Sequence, residues 1–268
     1  MPFVTTNGIR LSYQRAGHGD PVLLVMGSGA AGHVWTMHQT PALQRAGYET
    51  VTFDNRGVPP SSAPPGDYRL DELAADTKGL IEALDLAPCH IVGTSMGALI
   101  TQEIALRWPH LVRSAVVMAT RARTDVMRRE MSVADEQLRG SGITLPPRYR
   151  AVHTAMEMLS PATMNDEATI AGWLDVIELS GAGLTVAPGQ EAVITYLGDR
   201  RAALRAVSVP CRAIAFADDL KCPPHLVEEV AEAIPGCDLV RLDGCGHLGY
   251  LERPEAVNAA ILEFLQKY

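Results

Sequence analysis

Gly93-Thr94-Ser95-Met96-Gly97 stands between two segments of opposite character. Before it, Pro88-Cys89-His90-Ile91-Val92 is a short apolar run of the kind that forms a buried strand. After it, residues 98–106 read as a helix that must stop before Pro109. Strand, Gly-x-Ser-x-Gly and helix in that order is a turn so tight that the serine backbone is strained and its hydroxyl stands clear of the sheet. A side chain at 93 or 97 would collide with neighbouring backbone, so both positions require glycine. The helix that follows aims its free N–H groups and positive dipole end at the same point. An ordinary serine in a tight turn is the plain alternative. A nucleophilic serine hydroxyl needs a base, which the same chain must supply.

Working outward, the first half alternates apolar strands with amphipathic helices. Strands are predicted at 2–6, 9–15, 21–26, 49–54, 88–93 and 113–119, with Asn7-Gly8 a strong hairpin turn between the first two. Helices are predicted at 33–47, 69–85 and 95–108. This alternation implies an α/β fold whose mostly parallel sheet is covered on both faces. From 121 to 205 no strand is apparent. Thr124–Arg139, Arg148–Leu159 and Asp166–Leu179 read as helices, separated by Gly140-Ser141-Gly142, Pro146-Pro147, Ser160-Pro161 and Gly181-Ala182-Gly183. Strands return at 211–216 and 238–242, with helices near 224–234 and 253–266. The expected organisation is therefore a core of 1–120 and 206–268 carrying eight strands, with 121–205 inserted as a helical lid over the carboxyl edge of the sheet.

Composition narrows the partners. The chain has 268 residues, 47% of them apolar, ample for a large core. A net charge of −8 argues against nucleic acid or an anionic membrane as partner. The first residues, Met1-Pro2-Phe3-Val4-Thr5-Thr6, carry neither a basic region nor an apolar one, and no apolar run approaches membrane-span length. Five scattered cysteines without a Cys-x-x-Cys pair suit reduced thiols, and hence a cytoplasmic setting.

The base and its orienting acid are expected in the last quarter, in the order Ser…Asp…His. Asp243-Gly244-Cys245-Gly246-His247 follows the last strand, and its glycines can present His247 at the sheet edge. His90 lies inside a strand and reads as a core histidine. Asp218 and Asp219 both follow strand 211–216. One should face His247 while the other holds the turn backbone.

These features together resemble the α/β-hydrolase superfamily, in its serine-nucleophile form with a helical lid. Asp54-Asn55-Arg56-Gly57 matches the family's Asp-x-Arg-Gly loop, and Gly246-His247…Leu251-Glu252-Arg253-Pro254-Glu255 matches its histidine loop and final helix. The resemblance covers the chain outside 121–205. It places the acid four residues before Pro223, which selects Asp219. It makes Ser95, Asp219 and His247 the catalytic set. It assigns the backbone N–H groups of Ser28 and Met96 to an oxyanion hole, with Met26 where many relatives have histidine. A serine at the elbow argues against the related epoxide hydrolases and haloalkane dehalogenases. Gly27-Ser28-Gly29 and Gly32 satisfy Gly-x-Gly-x-x-Gly, but no acidic residue closes a strand where a ribose would need it, since Glu49 opens one. No metal and no cofactor is expected.

The inserted segment holds Met127, Met131, Met156, Met158 and Met164, five of the ten methionines, together with Trp173. They form either the lid's own small core or an adaptable apolar pocket wall, for which Met26, Met127, Met156, Met158 and Trp173 are the candidates. Arg121 and Arg123 either cap a loop or meet a carboxylate or phosphate. The substrate expected is a small-molecule ester or thioester with a largely apolar acyl group, free or bound to a carrier protein. Acyl transfer is the near alternative. A hydrolase-fold receptor, cyclase or lyase that forms no acyl-enzyme is the distant one.

Overall fold

The computed structural model describes residues 1–180, 187, 189–195 and 197–268. The predicted break at Gly181-Ala182-Gly183 lies outside the described residues. Eight strands form one sheet: β1 (Phe3–Thr6), β2 (Ile9–Ala16), β3 (Pro21–Val25), β4 (Glu49–Phe53), β5 (Cys89–Thr94), β6 (Val112–Met118), β7 (Cys211–Phe216) and β8 (Asp238–Leu242). Their spatial order is β1-β2-β4-β3-β5-β6-β7-β8. The first hairpin and the β2–β4 pair are antiparallel, and every later pair is parallel. Asn7 and Gly8 both have positive φ, the conformation a two-residue hairpin turn demands.

The strands are apolar at successive positions because both faces are buried. In β3, Leu23 and Val25 join one core while Val22 and Leu24 join the other. Ile91 and Val92 of β5 divide in the same way, as do Val117 and Met118 of β6. Helices Leu70–Ala83, Met96–Arg107 and Pro224–Ala233 close the first face, and Gln39–Arg45 and Pro254–Leu265 close the second. Each fully buried valine or leucine contributes about 1.5–3 kcal/mol relative to exposure, so the strand interiors resist change.

One predicted helix is split. Residues 33–47 form a 3-10 segment, Gly32–Met37, followed by helix Gln39–Arg45. A continuous helix would need an N–H that Pro41 lacks. The final helix, Pro254–Leu265, opens on Pro254 as expected and follows a separate short helix, Gly249–Glu252.

Between β6 and β7 the described residues form helices Val126–Gly140, Pro147–Met158, Pro161–Met164, Ile170–Ser180, Glu191–Thr195 and Arg201–Leu204, and no strand. Ala151, Ala155, Leu159 and Ile177 make a small separate core with Met164, Trp173 and Leu174, and Leu248 packs against it from the histidine loop. The two ends of the insertion belong elsewhere: Ala122, Val193 and Leu204 pack into the main core. Among the described residues no helix is long and apolar enough to cross a membrane.

Candidate active site

Ser95 sits at the end of β5 with φ +53° and ψ −120°. This is a region that non-glycine residues avoid at a cost of about 1–3 kcal/mol. The flanking glycines make the geometry possible. A Cβ on Gly93 would strike the Gly97 carbonyl and the Thr101 hydroxyl, and one on Gly97 would strike the Val25 carbonyl. The Ser95 N–H donates to the Met118 carbonyl at 3.0 Å, which holds the turn against β6.

β7 delivers Asp219 and β8 delivers His247 to the same edge. The Ser95 hydroxyl lies 3.1 Å from His247 Nε2, and His247 Nδ1 lies 2.9 and 3.0 Å from the two Asp219 oxygens. Only one tautomer serves both contacts: Nδ1–H donates to the carboxylate and Nε2 accepts from the hydroxyl. Asp219 is 1% exposed and His247 7%. Asp219 Oδ1 also accepts the N–H groups of Lys221 and Cys222, each at 2.8 Å. The division of labour expected between the two aspartates is therefore corrected. Asp219 performs both tasks, facing His247 and holding its own turn, while Asp218 donates its backbone N–H to Cys245 O at 2.9 Å.

Cys222 is brought close as well, so that Asp219, Cys222 and His247 each offer a donor atom within 4.8 Å of the others. No spacing rule in the sequence anticipated this cluster. Each member already has a partner or a reason to stay neutral. The imidazole spans Ser95 and Asp219, and burial pushes the Cys222 thiol up to about 12.

The loop after β3 closes on the serine. A Cβ on Gly27 would lie 3.2 Å from Ser95 Cβ, so this loop passes directly over the hydroxyl. Met96 is the first residue of helix Met96–Arg107, where N–H groups have no partner within the helix. The Asp-x-Arg-Gly stretch braces this loop. Asn55 Nδ2 donates to Met26 O at 3.0 Å, and Asp54 Oδ1 accepts the Gly32 N–H at 2.8 Å. Gly32 itself has no room for a side chain, since a Cβ would sit 2.5 Å from Phe53 O. That packing, rather than phosphate binding, accounts for the third glycine. Arg56 is buried against Asp76 in a two-pronged pair, 2.6 and 2.8 Å.

The histidine loop is locked to the middle of the segment between β6 and β7 by contacts that sequence reasoning missed. Glu252 accepts the Gly246 N–H at 2.7 Å with one oxygen, and the Ser160 N–H and hydroxyl at 2.8 and 2.7 Å with the other. Leu248 N–H donates to Met158 O at 3.1 Å. A Cβ on Gly246 would meet Leu159 C at 2.5 Å. Glu252 lies in the stretch that carried the family resemblance, but nothing in its spacing reveals a partner 92 residues away.

The pocket candidates fare unevenly. Met26 is fully buried, with its sulfur accepting the Tyr250 hydroxyl, so it supports the loop from behind and offers no surface to a substrate. Met127 and Met156 are 58% and 57% exposed and stand in solvent. Trp173 packs in the lid core, and Met158 is half-buried beside the histidine loop. Arg121 donates to Ile194 O and Arg123 pairs with Glu229, so both arginines hold the insertion's ends in place. A surface groove of about 410 Å³ between Arg201 and Glu232 contains none of the Ser95 constellation and is walled by charged side chains.

Residues 22–260 match the alpha/beta hydrolase family. The chain belongs to that family. Among curated relatives it is 42% identical to a Mycobacterium tuberculosis H37Rv protein provisionally named non-heme bromoperoxidase BpoC, over 96% of this chain and 97% of that one. The crystal structure of BpoC superposes with a TM-score of 0.91 at 41% identity, covering 96% of both chains. A provisionally named carbamate hydrolase, RutD of Azorhizobium caulinodans, is 28% identical over 98% of each chain. A malate-bound thermophilic esterase from Thermogutta terrifontis superposes with a TM-score of 0.83 at 26% identity, over 99% of this chain and 98% of that one. The eight-stranded, mostly parallel sheet is thus the alpha/beta hydrolase fold, and the relatives are hydrolase-type enzymes of that family.

Proposed function

We propose that this protein is a serine hydrolase that cleaves an ester or thioester of a largely apolar acyl group through an acyl-enzyme on Ser95. The observation that carries this reading is the unbroken line from the Ser95 hydroxyl through His247 to Asp219, set on a strained turn. His247 Nε2 takes the hydroxyl proton as Ser95 Oγ bonds to the acyl carbon. The carbonyl oxygen becomes an oxyanion held by the backbone N–H groups of Met96 and Ser28. The intermediate collapses, the bond to the leaving group breaks, and the leaving group departs with the proton from His247. Water then repeats the sequence with His247 as base, releasing the acid and restoring Ser95. Asp219 keeps the imidazole in the useful tautomer and stabilises its cation. Each step draws only on residues of this chain and water.

The names of the relatives agree with acyl cleavage for the esterase and the carbamate hydrolase. Halide oxidation, which the name BpoC carries, would need an oxidant such as hydrogen peroxide as the incoming nucleophile. The deciding experiment is intact-mass measurement after incubation with a fluorophosphonate and a panel of p-nitrophenyl esters. One adduct on Ser95 is expected, absent in Ser95→Ala, whose ester turnover should fall by about 10³–10⁶-fold with melting temperature little changed. Turnover retained by folded Ser95→Ala would refute the acyl-enzyme. Bromide oxidation with added peroxide, lost in the same variant, would extend the acceptor range.

A further inference from the structure

Gln190 is fully buried at the far end of the inserted segment, 161 residues from the loop it touches. Its Oε1 accepts the Gly29 N–H at 2.8 Å and the Ser28 hydroxyl at 3.1 Å, and its Nε2 donates to Arg56 O at 2.6 Å. The amide orientation is fixed by its partners, because a backbone N–H needs an acceptor and a carbonyl needs a donor. The turn that carries it is itself pinned: Gln190 N–H donates to Ala187 O, and Tyr68 N–H donates to Gly189 O at 2.8 Å. A Cβ on Gly189 would strike the Gly66 carbonyl. Three anchors therefore fix loop 26–32: Asn55 on the Met26 carbonyl, Asp54 on the Gly32 N–H, and Gln190 at its middle. Asn55 and Asp54 come from the sheet core. Gln190 comes from the segment between β6 and β7, and it holds Ser28 and Gly29.

We propose that Gln190 is a positioning residue that sets the Ser28 N–H as an oxyanion donor. This rests on the reading of Ser28 and Met96 as the oxyanion hole. The Gln190 amide spans Arg56 O and the Gly29 N–H and so braces the Ser28–Gly29 peptide. The hydroxyl of Ser28 takes part by pointing at Gln190, which leaves its backbone N–H as the group available to the substrate.

The test compares wild type, Gln190→Ala and Gln190→Glu with p-nitrophenyl butyrate, phenylboronic acid and a fluorophosphonate. Removing one oxyanion donor costs about 10²–10³ in kcat, so displacing one should cost about 10–100-fold in Gln190→Ala. The inhibition constant of phenylboronic acid, which makes a tetrahedral adduct on Ser95, should rise by a similar factor, while KM stays nearly constant. Gln190→Glu has the same shape, but as a carboxylate it faces the Arg56 carbonyl with no proton to give. Its activity relative to wild type should therefore rise as pH falls and the carboxyl regains its donor. A raised KM at unchanged kcat, or a lower melting temperature at unchanged kcat and boronate affinity, would overturn the proposal. If Gln190→Ala does not fold, a pH-independent ratio for Gln190→Glu overturns it equally. Failure of wild type itself to label with fluorophosphonate would instead remove the acyl-enzyme reading, which separates the two failures.

Discussion

At the scale of single residues, two adjacent aspartates show how much one position matters. Both follow β7, both precede the same helix, and both are acidic. The turn directs Asp219 inward, where it takes two backbone N–H groups and the imidazole, while Asp218 donates its own N–H to the loop opposite. Replacing Asp219 by Asn puts an amide against Nδ1 and favours the tautomer with the proton on the wrong nitrogen. Asp219→Asn is expected to lower kcat by about 10⁴-fold with the fold retained, whereas Asp218→Asn should change it by less than about tenfold. Ester turnover of the two variants, with circular dichroism to check folding, gives the answer. The reverse ranking would reassign the acid. The sequence narrowed the acid to these two residues, and the distance to Pro223 favoured Asp219 only through a family resemblance. The backbone hydrogen bonds of the turn supply the physical reason.

At the scale of elements, β5 carries a polar residue in its middle. His90 is 1% exposed, sits opposite Ser114 of β6, and shares a 2.8 Å hydrogen bond with its hydroxyl. Burial, aided by the nearby Arg113 cation, lowers its pKa to about 4. In the unfolded chain a histidine titrates near about 6.5. Above that pH both states are neutral and the contribution to stability is intact. As pH falls from 6.5 toward 4 the unfolded chain takes up the proton first, and stability is lost, by at most about 3 kcal/mol. Urea midpoints measured from pH 7 to pH 4 should fall for wild type and fall less for His90→Gln. Identical slopes would mean that the strand admits the charged ring. The strands were legible because sheet burial on both faces leaves an unbroken apolar run. The helix at 33–47 was read as continuous because apolar periodicity passes through Pro41, although the backbone cannot, whereas Pro254 opens the final helix where a proline is tolerated.

At the scale of the whole molecule, the helical segment between β6 and β7 is tied to both loops around Ser95. Its middle meets the histidine loop through Ser160 and Glu252, and its later part meets the loop after β3 through Gln190. Composition left the methionines as either the lid's own core or a pocket wall; Met164 joins the small core with alanine, leucine, isoleucine and tryptophan, while Met127 and Met156 face solvent. Met158→Ala and Trp173→Ala should therefore shift the ratio of kcat/KM between short and long p-nitrophenyl esters by about 1–3 kcal/mol. Met127→Ala and Met156→Ala should leave it within about 0.5 kcal/mol. Equal shifts for all four variants would return the exposed methionines to the pocket. What the chain determined by itself was local: strands from apolar runs, the serine turn from its glycines, and the order of serine, acid and histidine. These depend on the few residues that share a turn or a face. Tertiary structure alone decided which aspartate meets the imidazole, which methionines lie inside, and that Gln190 reaches Gly29. Those contacts span from 28 to 161 residues of chain, so they exist only after sheet register and the packing of the segment between β6 and β7 have brought distant segments to one edge.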